Sequence, residues 1–160
     1  MTKEFSSIGQ FVAHLSGLAV EQHAVQHRAL EKAAVLVEGH AKAKFGEYQP
    51  EGGGFVAWAE LADSTKQDRV AQGFTENDPL LRSGATRDSI SHKVSSDEAQ
   101  IGSNSDILVY QELGTAHIPP RSVLGATGAE TADAVVRILG HALTVALVGH
   151  EVHMGAIKIK

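Results

Sequence analysis

The chain has 160 residues, 42% hydrophobic and 21% charged, which suits one domain with a genuine core and excludes wholesale disorder. A formal charge of −5 and a pI near 6.0 argue against a dedicated nucleic-acid binder, which carries a basic surplus or stripe. The lack of cysteine excludes disulfides, thiolate zinc sites and a thiol nucleophile.

The charge is uneven. Residues 1–46 hold five bases and four acids, a net +1, which leaves −6 for the remainder. A near-neutral helical arm on an acidic body is the expectation. No apolar run follows a basic start, and no stretch approaches the ~20 apolar residues of a membrane span, so a soluble cytoplasmic protein is expected. Sixteen glycines and 5% aromatics require a core of small aliphatics.

Ser7 and Gln10 form a capping box opening a helix with Ile8, Phe11, Val12 and Leu15 on one face, and Gly17 is a candidate break. From Leu18 to about Phe45 an alanine-rich, proline-free run predicts a long helix with Val20, Ala24, His27, Ala34, Val37 and Ala41 along one stripe. Its length favours projection or packing against another subunit. Residues 47–57 read as a loop flexing at Gly52-Gly53-Gly54; no Lys-Ser/Thr completes a phosphate-binding loop. Ser64 and Gln67 form a second capping box for a short helix to about Gln72, closed by Gly73. Asp78-Pro79 predicts a helix start running through Leu80 and Leu81 and past Gly84. Alternation over 89–94 and 99–102 around the polar turn 95–98 predicts a β-hairpin.

Asn104-Ser105-Asp106 offers capping oxygens to a short helix on which Ile107, Tyr110 and Leu113 share a face, with Gly114 as its C-terminal cap. Pro119-Pro120 strips two donors and predicts a stiff, extended arm bearing Arg121, Val123 and Leu124. Thr127 and Glu130 form a third capping box, opening a helix with Ala132, Val135, Val136, Leu139, Ala142, Leu143, Ala146 and Leu147 on one stripe and Gly149 at its end. The tail alternates Ile157 and Ile159 with lysines and suits a strand or a frayed end. The predicted class is α+β: a long N-terminal helix and a C-terminal helix packed on a small antiparallel sheet, with an extended proline-containing arm. The segments are an N-terminal helical part (1–46), a glycine-rich loop (47–57), the core (58–150) and a tail (151–160).

Candidates for chemistry are weak. His23 and His27, and His150 and His153, are paired at chelating distance along the chain, yet neither pair has a third ligand at a set spacing. Ser83-Gly84 and Ser103 lack a nucleophile elbow. No catalytic residue, metal or cofactor is expected.

One stretch carries a resemblance. Tyr110, Glu112, Gly114-Thr115, Pro119, Arg121 and Leu124 resemble the Y-x-E-[aromatic]-G-T-x-x-M-P-x-R-P-[aromatic]-L signature of tailed-phage neck and tail-completion (virion-morphogenesis) proteins. Leu113, Ile118 and Ser122-Val123 stand where that pattern has an aromatic, Met and Pro-aromatic. Trp58, Leu61, Thr65 and Arg69, then Leu81 to Gly84 with Ser89-Ile90, then Ile101-Gly102-Ser103 are similar to the family's preceding motifs, in family order. The resemblance implies a non-enzymatic virion protein, assembled in the host cytoplasm and sited at the head–tail junction. It would form a homo-oligomeric ring, hexameric or dodecameric, that meets other neck proteins, the portal or adaptor, or the tail-tube or terminator protein. DNA would pass it without specific binding, and no membrane is involved. The interface candidates are Tyr110, Glu112, Thr115, His117, Ile118, Pro119, Pro120, Arg121, Val123 and Leu124. Arg121 has two readings: a bidentate pair with a neighbour's carboxylate, or a cap on a local carbonyl. The alternative to the ring is a cytosolic adaptor or regulatory module that dimerises through helix 18–45.

Overall fold

A computed structural model describes residues 7–148 of the chain. Its elements are α1 (Ile8–Ala43), α2 (Asp63–Ala71), α3 (Ala85–Asp88), β1 (Ile90–Val94), β2 (Ala99–Ser103), α4 (Asp106–Leu113) and α5 (Leu124–Val148). The class is α+β, with long helices packed on a two-stranded antiparallel sheet.

The Ser7 cap at the start forms: the Gln10 N–H donates to Ser7 Oγ at 3.2 Å. The helix then runs unbroken for 36 residues, about 54 Å at 1.5 Å per residue. Gly17 does not break it. Nothing lies within 4 Å of a Cβ built there, so the glycine costs helix propensity but meets no competing contact. The stripe divides in two. Ala34 and Ala41 are fully buried, while Val20 is 70% exposed and Ala24 and His27 are exposed. Lys44 ends the helix, and Gly46 leaves it in a left-handed conformation (φ 97°) with its N–H on Pro79 O at 2.9 Å.

Helix α5 lies antiparallel to α1. Lys44 Nζ meets Glu130 at 2.7 Å near one end, and Gln22, Gln26 and Leu30 approach Leu139, Ala142 and Leu143 farther along. The hairpin packs on another side of α1, in the register Ile90↔Ser103 to Val94↔Ala99, closed by Ser95 N–H on Glu98 O. At the C-terminal end of α1 the core collects Ala41, Phe45, Trp58, Ile90, Leu108 and Val123, flanked by Tyr48, Leu80, Leu81, Ile101 and Leu124.

Three predicted starts differ. Helix α2 begins at Asp63 with Ala62 as N-cap, so Ser64 falls inside the first turn and caps nothing; the Asp63 carboxylate faces the helix dipole instead. Gly73 closes the helix as expected, at φ 78°. No helix grows from Asp78-Pro79. The Pro79 carbonyl takes the Gly46 N–H, and the Leu81 carbonyl takes the buried Arg69 guanidinium at 2.7 Å, so acceptors a helix would use are already occupied. Leu80 there adopts φ 60°, and only the single turn of α3 follows Gly84. Helix α5 starts at Leu124, three residues before the Thr127 box, for a reason given below. Expectations for Gly149, for His150 and His153 and for the tail lie outside the described residues, as do those for the side chains of Phe11, Leu15, Ala146 and Leu147.

Candidate functional site

The α4–α5 junction gathers most of the residues singled out between 107 and 124. Every α-helix begins with four N–H groups that lack a partner inside it. In α5 those of Val123, Leu124 and Gly125 donate to the Glu112 carboxylate at 2.8, 3.0 and 2.7 Å. The fourth, of Ala126, donates to Ser122 Oγ at 3.2 Å, and the Ser122 hydroxyl itself donates to Glu112 at 2.5 Å. The first internal bond, Thr127 N–H to Val123 O, follows at once. The cap of α5 is therefore a side chain from α4, eleven to thirteen residues upstream of the groups it holds. A negative charge at this position is also favoured by the helix dipole.

Arg121 locks the same junction. Its side chain is 5% exposed, its Nε and one terminal nitrogen donate to Ala59 O at 3.2 and 2.8 Å, and that nitrogen also reaches Glu60 O at 3.2 Å. Its backbone N–H donates to Gln111 O at 2.6 Å. Burial pushes the guanidinium below its usual pKa, and the carbonyl oxygens compensate the desolvated charge. Trp58 Nε1 donates to Ser122 O at 3.3 Å, so the residues after Trp58 and the start of α5 are pinned together. Gly125 is needed for close packing: a Cβ there would sit 2.8 Å from the Phe55 ring and 2.9 Å from Ser122 Oγ.

Between the helices the chain turns tightly. Gly114 has φ 74°, and a Cβ on it would meet Ile118 O and Pro120 N at 3.0 Å. Thr115 Oγ1 accepts the His117 and Ile118 N–H groups at 3.2 and 3.1 Å, and Thr115 N–H donates to Ile118 O at 2.8 Å. The diproline segment forms no helix or strand, as its chemistry requires, but it is folded back onto α4.

This corrects part of the expectation. Arg121 and Val123 (fully buried) point inward, and Arg121 caps carbonyls of its own chain, though distant ones, at Ala59 and Glu60, rather than local ones. Glu112, Ile118 and Leu124 are half-buried, with Glu112 occupied inside its own chain. Tyr110, Thr115, His117, Pro119 and Pro120 remain at the surface.

Helix α4 exposes most of its large apolar side chains. At about 100° per residue, Val109, Leu113, Tyr110 and Ile107 fall on one arc, which also holds the exposed Asp106 at the helix start, and Leu108, Gln111 and Glu112 fall on the other. The apolar arc faces solvent, with exposures of 50, 75, 54 and 57% in that order. The opposite arc faces inward, with Leu108 in the core and Glu112 on the α5 cap. Spacing alone groups Ile107 and Leu113 with Tyr110 but cannot tell which way a face points; Leu108 in the core and Glu112 on the α5 cap fix that. Val109 was missed.

Elsewhere, His23 and His27 are exposed, and no cluster of three or more metal-ligating side chains occurs among the described residues. No family model, no curated protein and no solved structure matches the chain.

Proposed function

We propose that the outer face of α4 is an assembly surface. On this reading the chain is a structural protein of a tailed-phage or prophage-like particle, forming a homo-oligomeric ring at the head–tail junction. The observation that carries the reading is the exposed apolar side chains of α4. Four large apolar side chains, with Asp106 beside them, are held in water by a helix whose other face is committed to the fold, and large exposed apolar side chains gathered on one face mark an interaction site. The face is presented rigidly, because Glu112, Gly114, Thr115 and Arg121 fix the α4–α5 junction from within. The resemblance over 58–124 supplies the type of assembly, and these four residues are among its signature positions. A ring is a heterologous contact that closes, so this patch would meet a different face of the next copy. An acidic body suits a channel through which DNA slides without adhering.

Negative-stain electron microscopy with light scattering tests this, on the protein alone and mixed with a portal or tail-tube protein. Closed rings in either sample support the reading. A monomer or dimer indifferent to both partners refutes it. The second reading, a dimeric adaptor, is favoured by Ile8, Val12 and Val20, which are 83, 53 and 70% exposed on the first half of α1. It predicts a dimer that dissociates when Val20 is replaced by Asp.

A further inference from the structure

Beside the apolar packing of Ile90 and Ile101, the β-hairpin is held to α1 by one polar side chain with two contacts. His92 Nε2 lies 3.1 Å from Glu31 Oε1, and Nδ1 is in contact with Glu38 Oε2. Glu31 and Glu38 are seven residues, about two turns, apart on α1, so the ring sits between them. A neutral imidazole carries one N–H, and an ionised carboxylate only accepts. With a carboxylate at each ring nitrogen, only the imidazolium satisfies both contacts. The carboxylates lie on opposite edges of the ring and do not converge on a point a cation could share.

The surroundings leave this charge arrangement intact. On α1, Lys42 Nζ also holds Glu38, at 2.5 Å. On β2, Ile101 stands opposite His92 and no residue from Ala99 to Ser103 ionises. On α3, Arg87 and Asp88 pair with each other at 2.8 Å, Asp88 also sensing Lys42. On its own strand, Lys93 points to the other face. His92 is 22% exposed, so water and protons reach it. Asp97, at the hairpin tip, borders a groove of about 290 Å³ between α1 and α5 lined by Gln22, Gln26, Leu30, Leu139 and Leu143.

We propose that His92 is a proton-operated latch: the imidazolium fastens the hairpin to α1 through both ring nitrogens, and the neutral ring releases one carboxylate and loosens the hairpin beside the groove. The sign follows from the neighbours. Glu38 first and Glu31 second raise the His92 pKa above its ordinary 6.5. The latch is thus complete below pH 6.5 and is lost as pH rises through the raised folded value. Lys42, then His92, lowers the Glu38 pKa below 4.5, so Glu38 lets go only in stronger acid, as pH falls through that lowered value.

The test is an NMR titration of the full chain from pH 5 to 9, reading the His92 ring nitrogens and hydrogen exchange of the β1 and β2 amides. Expected are two protonated ring nitrogens at pH 6, a midpoint above 6.5, and hairpin protection that falls across that midpoint in the wild type but not in His92→Gln. A midpoint at or below 6.5, or equal pH dependence of protection in wild type and variant, overturns the latch. If His92→Gln does not fold, Glu31→Gln decides, since that carboxylate is 48% exposed and outside the core. A lowered His92 midpoint in that variant supports the latch, and an unchanged one overturns it.

Discussion

Replacing Glu112 by Ala should destabilise the chain more than any single change at its surface. The carboxylate takes three backbone N–H groups and one hydroxyl, all at 3.0 Å or less. Loss of a local N-cap costs roughly 0.5–2 kcal/mol, and each buried donor left without an acceptor about 1–3 kcal/mol. Val123 is fully buried and its N–H cannot rehydrate, whereas those of Leu124 and Gly125 lie in half-buried residues and recover part of their loss. The sum is about 3–4 kcal/mol for Glu112→Ala. Glu112→Gln keeps one oxygen, loses the charge at the helix dipole and aims an amide NH2 at donors, for about 2 kcal/mol. Urea unfolding followed by far-ultraviolet circular dichroism measures both through the midpoint, with the m-value unchanged. The order wild type, Gln, Ala is the expected result. A cost under about 1 kcal/mol for Ala would refute the claim that α4 caps α5.

Arg121→Glu should fail to fold rather than yield a folded protein deficient in assembly, because a buried carboxylate would face the Ala59 and Glu60 carbonyls; a native-like spectrum and melting curve for this variant would contradict the placement. Gly125→Ala should cost about 1–3 kcal/mol by overpacking against Phe55, while Gly140→Ala, with nothing within 4 Å, should stabilise α5 by about 0.5–1 kcal/mol, both read from thermal unfolding. Glu130→Gln should cost about 1–2 kcal/mol despite Glu130 being 47% exposed, because its partner Lys44 is 6% exposed; no loss in urea unfolding would show that Gln49 alone satisfies the ammonium.

What the sequence made legible is what local chemistry decides. The Ser7 cap, the hairpin around 95–98 and the turn at Gly114 each depend on residues within a few positions of one another. What it hid is decided across the fold. The start of α5 is set by Glu112, not by the Thr127 box; Thr127 is inside the helix, where its carbonyl accepts the Thr131 hydroxyl at 2.7 Å. The helix expected at Asp78-Pro79 lost its carbonyls to Gly46 and to Arg69, partners more than ten residues away. Arg121 carries a charge that a sequence reading places outside, and three long-range carbonyl contacts turn it inward. In α4 apolar residues fall on both faces, so spacing groups Ile107, Tyr110 and Leu113 without giving them a direction; Leu108 in the core and Glu112 on the α5 cap set which side faces inward.

Sedimentation velocity on the wild type and on Leu113→Asp, each alone and with a portal or tail-tube protein, tests whether the α4 face drives assembly. Leu113 is 75% exposed, so the substitution should leave the melting curve unchanged and remove the high-order species expected of the wild type. A Leu113→Asp protein that folds and assembles as the wild type does would contradict an assembly role for α4.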